Sequence, residues 1–220
     1  MNYSKLIIIV EGQTEEEFVN QSLRPWLNQK GIYDIRAIKI RTSSSVKGGN
    51  ANYQKFKNEI LRLLNQQKDV LITSFFDFFR LPTSFPGYDE MQRVLNVEHK
   101  ITILETSMGE DINSERFVPY IQLHEFESLL FTKIHGFKSL PQLHASQIAD
   151  LNAIIESYPN PELINNNPST SPSKRILKIY PSYEKVLHGN YILLENTFEA
   201  ILLKCPRFSN WINILLSILE

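Results

Sequence analysis

The sequence predicts an α/β fold: a mainly parallel sheet flanked by helices, followed by a C-terminal helical extension. Three observations carry that expectation. Leu6-Ile-Ile-Ile-Val10 is an unbroken, largely β-branched run of the kind that is buried on both faces of a parallel sheet. Similar runs alternate with segments of helical period through about residue 131, and short connections between them imply right-handed β-α-β crossovers. Strand signals then stop, so residues 1–133 are read as the α/β core and 134–220 as a helical portion packed on it in one compact unit.

Element by element, Leu6–Val10 is the first strand. Thr14 to about Gly31 reads as a helix with Phe18, Leu23, Trp26 and Leu27 near helical spacing, ended or kinked by Pro25. Ile35–Arg41 is a second strand and Ser43–Asn52 a polar loop. Tyr53–Gln67 sets Tyr53, Phe56, Ile60, Leu63 and Leu64 on one helical face. Asp69–Phe76 is a third strand, ending at Asp77. After a proline-rich loop, Tyr88–His99 is expected to be a helix and Lys100–Glu105 a short strand. Arg116–Phe131 reads as a strand to about Leu123 that runs into a helix. Ile134–Ser157 is mixed and helical, while Tyr158–Arg175, rich in Pro, Asn and Ser, is expected as a long surface segment. Tyr191–Leu203 and Phe208–Leu219 are the clearest closing helices.

Composition narrows the class. A net charge of −1 over 220 residues argues neither for nor against a nucleic-acid partner, so any such surface is local. The lone Cys205 rules out an intramolecular disulfide and a cysteine zinc cage, and it suits a reducing compartment. No signal-peptide pattern and no apolar run of spanning length is present, so the expectation is a cytoplasmic protein without a membrane partner.

In open parallel sheets ligands bind outside the carboxyl ends of the strands. Glu11 follows the first strand, Asp77 the third, and Glu125 with Glu127 the run "YIQLH". Carboxylates converging from separate strands suit Mg²⁺ or Mn²⁺, ions that serve phosphoryl transfer. Asp77 sits among Phe75, Phe76, Phe78 and Phe79, an apolar setting that demands a cation or a hydrogen-bond donor. Glu127 reads equally well as a ligand or as a solvated or capping residue. Thr14 and Glu17 fit a capping box, and Glu15 and Glu16 suit a first helical turn, which makes Glu16 and Glu17 helix-start residues. "HEFE" at His124–Glu127 lacks the second histidine of a zinc-protease helix. Walker, Gly-x-Gly-x-x-Gly and Gly-x-Ser-x-Gly patterns are absent from the sequence.

"IIIVEGQTEEEFV" resembles the first motif of Toprim (topoisomerase–primase) domains: a buried strand, then a glutamate and a glycine opening a helix. The chain as a whole is similar to a bacterial Toprim-like family catalogued as a domain of unknown function. The matching stretches are "VEGQTE", "KGG", "FFDFFRLPTSFPG", "RFVPYIQLHEFESLLF", "PSKRI", "YEKVLHG" and "CPRFSNW", in family order over nearly the whole length. The resemblance implies a Toprim-like fold and Mg²⁺-dependent (or Mn²⁺-dependent) phosphodiester cleavage of DNA or RNA. In that pattern Glu11 is the motif glutamate and Asp77 the first aspartate of an Asp-x-Asp pair. Phe79 stands where the second aspartate belongs, so Glu125, Glu127 or Glu15 would have to substitute. Glu15 also fits an extra glutamate of the related overcoming-lysogenisation-defect Toprim nucleases.

The basic residues of the C-terminal portion gain a role under the same resemblance. Ser173, Lys174 and Arg175 at a helix start would bind phosphate or steady a transition state, as would Lys185 and His188. Lys178 reads as a solvated helix residue, and Lys47 before Gly48-Gly49 would contact phosphate from its loop. Tyr120, Tyr180 and Tyr183 read as core rather than as nucleophiles. The resemblance further implies a bacterial anti-phage defence system with a partner ATPase, and it leaves a homo-oligomer open. The alternative is a catalytically inactive Toprim-like module that binds nucleic acid or a partner ATPase; a phosphatase acting on a small substrate is a third reading.

Overall fold

The computed structural model describes residues 3–40, 53–79, 81–164, 167 and 169–219. β1 (Lys5–Val10) leads through Glu11 and Gly12 into α1 (Gln13–Phe18), a π-helical turn over Val19–Leu23 and α2 (Arg24–Asn28). The irregularity expected at Pro25 takes this form. Proline has no N–H and its ring crowds the carbonyl four residues back, so the helix widens just before it: Arg24 N donates to Val19 O, five residues away.

β2 (Asp34–Lys39), α3 (Tyr53–Gln66) and β3 (Val70–Asp77) follow, then α4 (Tyr88–Met91) and α5 (Val97–Ile112). The helix expected over Tyr88–His99 therefore stops at Met91, and the strand expected at Lys100–Glu105 is the first half of α5. Asn96 decides the matter by accepting a hydrogen bond from His99 N as an N-cap. Ile101, Leu104, Met108 and Ile112 then recur at helical spacing and bury one face.

β4 (Phe117–Val118) and β5 (Ile121–Gln122) pair in turn with β3. The single strand expected here breaks at Pro119, which has no N–H for the ladder. Ser74, fully buried in β3, fills the gap: its hydroxyl donates to Tyr120 O at 2.9 Å and accepts from Tyr120 N at 2.8 Å. All pairings are parallel, in the order β2–β1–β3–β4, with β5 beside the carboxyl end of β3.

A 3-10 helix (Phe126–Thr132) opens the helical portion, followed by α6 (Ile134–Lys138) and α7 (Ala145–Ser157). A 3-10 turn (Pro161–Leu163), α8 (Pro172–Ile179), α9 (Lys185–Asn196), α10 (Phe198–Lys204) and α11 (Pro206–Leu219) complete it. The stretch expected as a surface segment is partly interior, because Glu162 caps α11 from a distance. Its carboxylate accepts from Arg207 N at 2.9 Å and from Phe208 N at 3.2 Å, two donors that a helix start leaves free.

The sheet is covered on both faces, as an all-parallel sheet requires. Ile7, Ile9, Ile72 and Phe76 pack with Phe56, Ile60, Leu104 and Met108 of α3 and α5. Leu6, Ile8, Val10 and Phe75 pack with Phe18 and with Phe198, Phe208 and Trp211 from the C-terminal helices. The ring of Phe18 lies 5.8 Å from Phe75, 5.5 Å from Phe126 and 6.0 Å from Phe208, so α1, the sheet and the C-terminal helices share one aromatic centre. Among the described residues no helix is long and apolar enough to cross a membrane.

Ser74→Ala removes both bonds across the strand break and strands a buried N–H and C=O. The expected loss is about 1–3 kcal/mol of unfolding free energy, read from urea denaturation.

Candidate functional site

β1, β3 and β5 end at the same edge of the sheet, and the acids that follow or close them meet there. Glu11 comes directly off β1. Gly12 has extended backbone, with φ −133°, so its glycine answers a demand for space. A Cβ there would lie 2.7 Å from Glu15 Oε2. Glu15, buried in the first turn of α1, thus lays its carboxylate against the Glu11–Gly12 corner. The expected capping box does not form: Gly12 is the N-cap, and Thr14 is buried inside the helix. Glu16 and Glu17 turn elsewhere, Glu16 to Lys39 at 2.9 Å and Glu17 to the amide of Gln21 at 2.7 Å.

Asp77 closes β3. Its Oδ1 accepts from Phe126 N at 2.8 Å, which fixes the start of the following 3-10 helix. Between them His124 adopts φ 67°, in the left-handed region, and its carbonyl accepts from Phe79 N at 2.8 Å. This corner carries Glu125 and Glu127 inward. Glu127, left open by the sequence, is 1% exposed, and its Oε2 accepts no hydrogen bond. Burial holds the His124 imidazole down at about 4, against the opposing pull of Glu125.

Among the described residues, one cation stands among these acids. Lys185 Nζ lies 3.6 Å from Glu15 Oε1, 3.7 Å from Asp77 Oδ2 and 3.4 Å from Glu127 Oε2, the spacing of ion pairs rather than of close hydrogen bonds. Glu11 belongs to the same electrostatic group, because burial, and next the charge of Glu15, push its carboxyl above the usual range while Lys185 opposes them. Burial likewise lifts Asp77 well above the carboxylate range; Lys185 opposes, and Glu15, Glu127 and Glu11 add to the rise. Glu127 is raised by burial, again against Lys185. For Lys185 burial works toward deprotonation, but Asp77, Glu127 and Glu15 overcome it and hold the ammonium well above its ordinary value. Among the described residues, one ammonium against four carboxylates leaves three negative charges unmatched when all are ionised.

The donor set fits a hard divalent cation: carboxylate oxygens only, one of them buried without a hydrogen bond. Among the described residues, however, no group of three or more His, Cys, Asp or Glu side chains is arranged to hold a metal ion. Glu15, Asp77 and Glu127 surround the ammonium at 3.4–3.7 Å instead of sharing a point at the roughly 2.1 Å of Mg²⁺ ligation. The chemistry of the donors suits such an ion, while their spacing in this structure is that of ion pairs to Lys185.

The remaining sequence candidates lie outside this ring. Glu125 Oε2 accepts from Ser173 N at 3.0 Å at the start of α8, so those two candidates satisfy each other. Arg175 Nε donates to Thr170 O at 2.7 Å, and its guanidinium lies 5.4 Å from the Tyr158 ring centre. Lys174, Arg175 and Lys178 line a separate groove of about 380 Å³ between α7 and α8. His188 Nδ1 accepts from Glu184 N at 2.9 Å within the first turn of α9. Lys47, with Gly48 and Gly49, is outside the described residues. Tyr120, Tyr180 and Tyr183 are buried, as expected of core tyrosines. Lys185 was one basic residue among several in the sequence. Its signal was its place: as the first residue of α9 it opposes the helix dipole, a cost that nearby anions offset.

The profile of the family described as a domain of unknown function, DUF4276, matches residues 10–216. The chain belongs to that family. Among solved structures, this DUF4276 member is similar to the C-terminal region of the OLD protein of Xanthomonas campestris pv. campestris, with 16% identity and a TM-score of 0.45, over 100% of this chain and 95% of that one. No curated protein matches it.

The raised carboxyls give a pH dependence of known sign. Asp77, Glu11 and Glu127 hold protons more tightly folded than unfolded. The folded state therefore carries the extra protons, and their contribution to stability is lost as pH climbs from the ordinary carboxylate range through the raised values. Asp77→Asn keeps the acceptor for Phe126 N and removes one charge. In EDTA it is expected to stabilise the protein by on the order of 1 kcal/mol near neutral pH and to flatten that fall, as measured by urea midpoints at a series of pH values.

Proposed function

We propose that this chain is a divalent-metal-dependent nuclease that hydrolyses phosphodiester bonds of DNA or RNA at the carboxylate cluster. The observation that carries the reading is the gathering of Glu15, Asp77 and Glu127 around the Lys185 ammonium, with Glu11 electrostatically coupled to them, at the edge where parallel sheets bind ligands. The resemblance of "VEGQTE" and "FFDFF" to Toprim motifs supports the same chemistry from the sequence.

Mg²⁺ or Mn²⁺ bound in the cluster supplies Lewis-acid polarisation of the phosphoryl group and a more acidic water. Glu11, Asp77 and Glu127 would hold it. Glu15 would take the proton of the attacking water as its oxygen bonds phosphorus and the ester P–O bond breaks, the leaving oxygen gaining a proton from solvent. Glu125, bonded to Ser173 N, would hold α8 against the cluster, and Lys174 and Arg175 would meet flanking phosphates from the α7–α8 groove. The resemblance also supports a place in bacterial anti-phage defence, with a partner ATPase supplying recognition.

A second reading, a non-catalytic module that binds nucleic acid or the ATPase, is favoured by Phe79 at the second aspartate's place. Cleavage of DNA and RNA with Mn²⁺ or Mg²⁺, with and without the ATPase, separates the two. Glu11→Ala and Asp77→Ala are each expected to lower cleavage at least about 100-fold. Cleavage untouched by both changes removes the assignment, and nucleic-acid binding without cleavage under every condition selects the module.

A further inference from the structure

We propose that Lys185 is a built-in counter-cation which the divalent ion must displace, and that this exchange sets the charge selectivity of the site. The inference rests on the metal-dependent reading above and says how the ion enters.

The ammonium stands among the acids, within 3.4–3.7 Å of Glu15, Asp77 and Glu127. Those distances make it a point charge held by attraction to the acids rather than by close hydrogen bonds. Glu127 Oε2, its nearest contact, is buried and accepts no hydrogen bond, so ion pairing is the whole of what that oxygen receives. A lysine is also the wrong size of answer, since its single charge leaves the cluster strongly negative.

Lys185 has somewhere to go. Its side chain is 41% exposed, and it lines a groove of about 510 Å³ whose other lining residues include the carboxylates of Glu17 and Glu184. Swinging outward exchanges the buried acids for these carboxylates of the groove, an exchange that the charge of the incoming ion must drive. A monovalent ion entering the cluster would swap one positive charge for another and gain nothing. A divalent ion replaces one charge by two, and that surplus falls in a buried, low-dielectric site where it counts most. Lysine thus excludes Na⁺ and K⁺ while remaining displaceable by Mg²⁺ or Mn²⁺.

The test is calorimetric titration of the full chain with Mn²⁺, at fixed ionic strength, in wild type, Lys185→Met and Lys185→Arg. Lys185→Met is expected to bind Mn²⁺ at least tenfold more tightly than wild type and to lose that advantage in high K⁺, whereas Lys185→Arg stays near wild type. Equal or weaker binding by Lys185→Met overturns the inference and leaves the metal-dependent reading standing. Absence of binding to all three proteins removes that reading and the inference together. Acetic-anhydride labelling of wild type, read by mass spectrometry at Lys185, gives an answer that does not depend on a variant folding. Saturating Mn²⁺ is expected to raise labelling at least threefold as the ammonium leaves the acids; unchanged or reduced labelling overturns the exchange.

Discussion

Glu11 and Asp77 are neighbours because β1 and β3 are hydrogen-bonded, parallel and in a register that pairs Val10 with Phe75. Neither acid can leave the other's company without slipping that register. A slip of one residue would turn the apolar side chains of β1 from one face to the other. Both faces are packed, so the hydrophobic core enforces the register and, through it, the electrostatic repulsion at the carboxyl edge. Burial of Leu6 through Val10 and the crowding of carboxylates are two results of one constraint.

The C-terminal helices enter this arrangement twice. Phe198, Phe208 and Trp211 cover one face of the sheet, while α9 delivers an ammonium that partly balances its edge. Packing and charge compensation therefore arrive on the same run of chain. Asn190, one turn beyond Lys185, donates to Thr14 O at 3.3 Å and so ties α9 to the helix that bears Glu15. Asn196, fully buried, accepts from Gly136 N at 2.7 Å and donates to Leu130 O at 3.0 Å, anchoring the other end of α9. The lysine's backbone is fixed at both ends, and its freedom lies in its side chain.

The sequence made the sheet and the two principal acids legible because both follow from a local signal, a buried run ended abruptly by a carboxylate. The family was legible too, since its matching stretches recur in order along the chain. What escaped depended on residues far apart. Ile101-Thr102-Ile103 looks like a strand until Asn96 caps a helix ahead of it. The segment around Glu162 looks solvated until its carboxylate is seen capping α11. Glu127 reads evenly as ligand or surface until the His124 corner turns it inward. The pairing of Lys185 with Glu15, Asp77 and Glu127 joins four separate elements, and no periodicity along the chain encodes it.

The bond between Glu125 and Ser173 N has a consequence for recognition. The start of α8, with its free amides, would ordinarily welcome a phosphate. Here a carboxylate of the same chain is already seated, and tethering gives it an effective concentration in the millimolar range or above. A free anion competes poorly against such a neighbour. On the nuclease reading proposed above, phosphates approaching α8 are therefore left to Lys174 and Arg175, side chains whose charge follows a backbone of any sequence and reads no base.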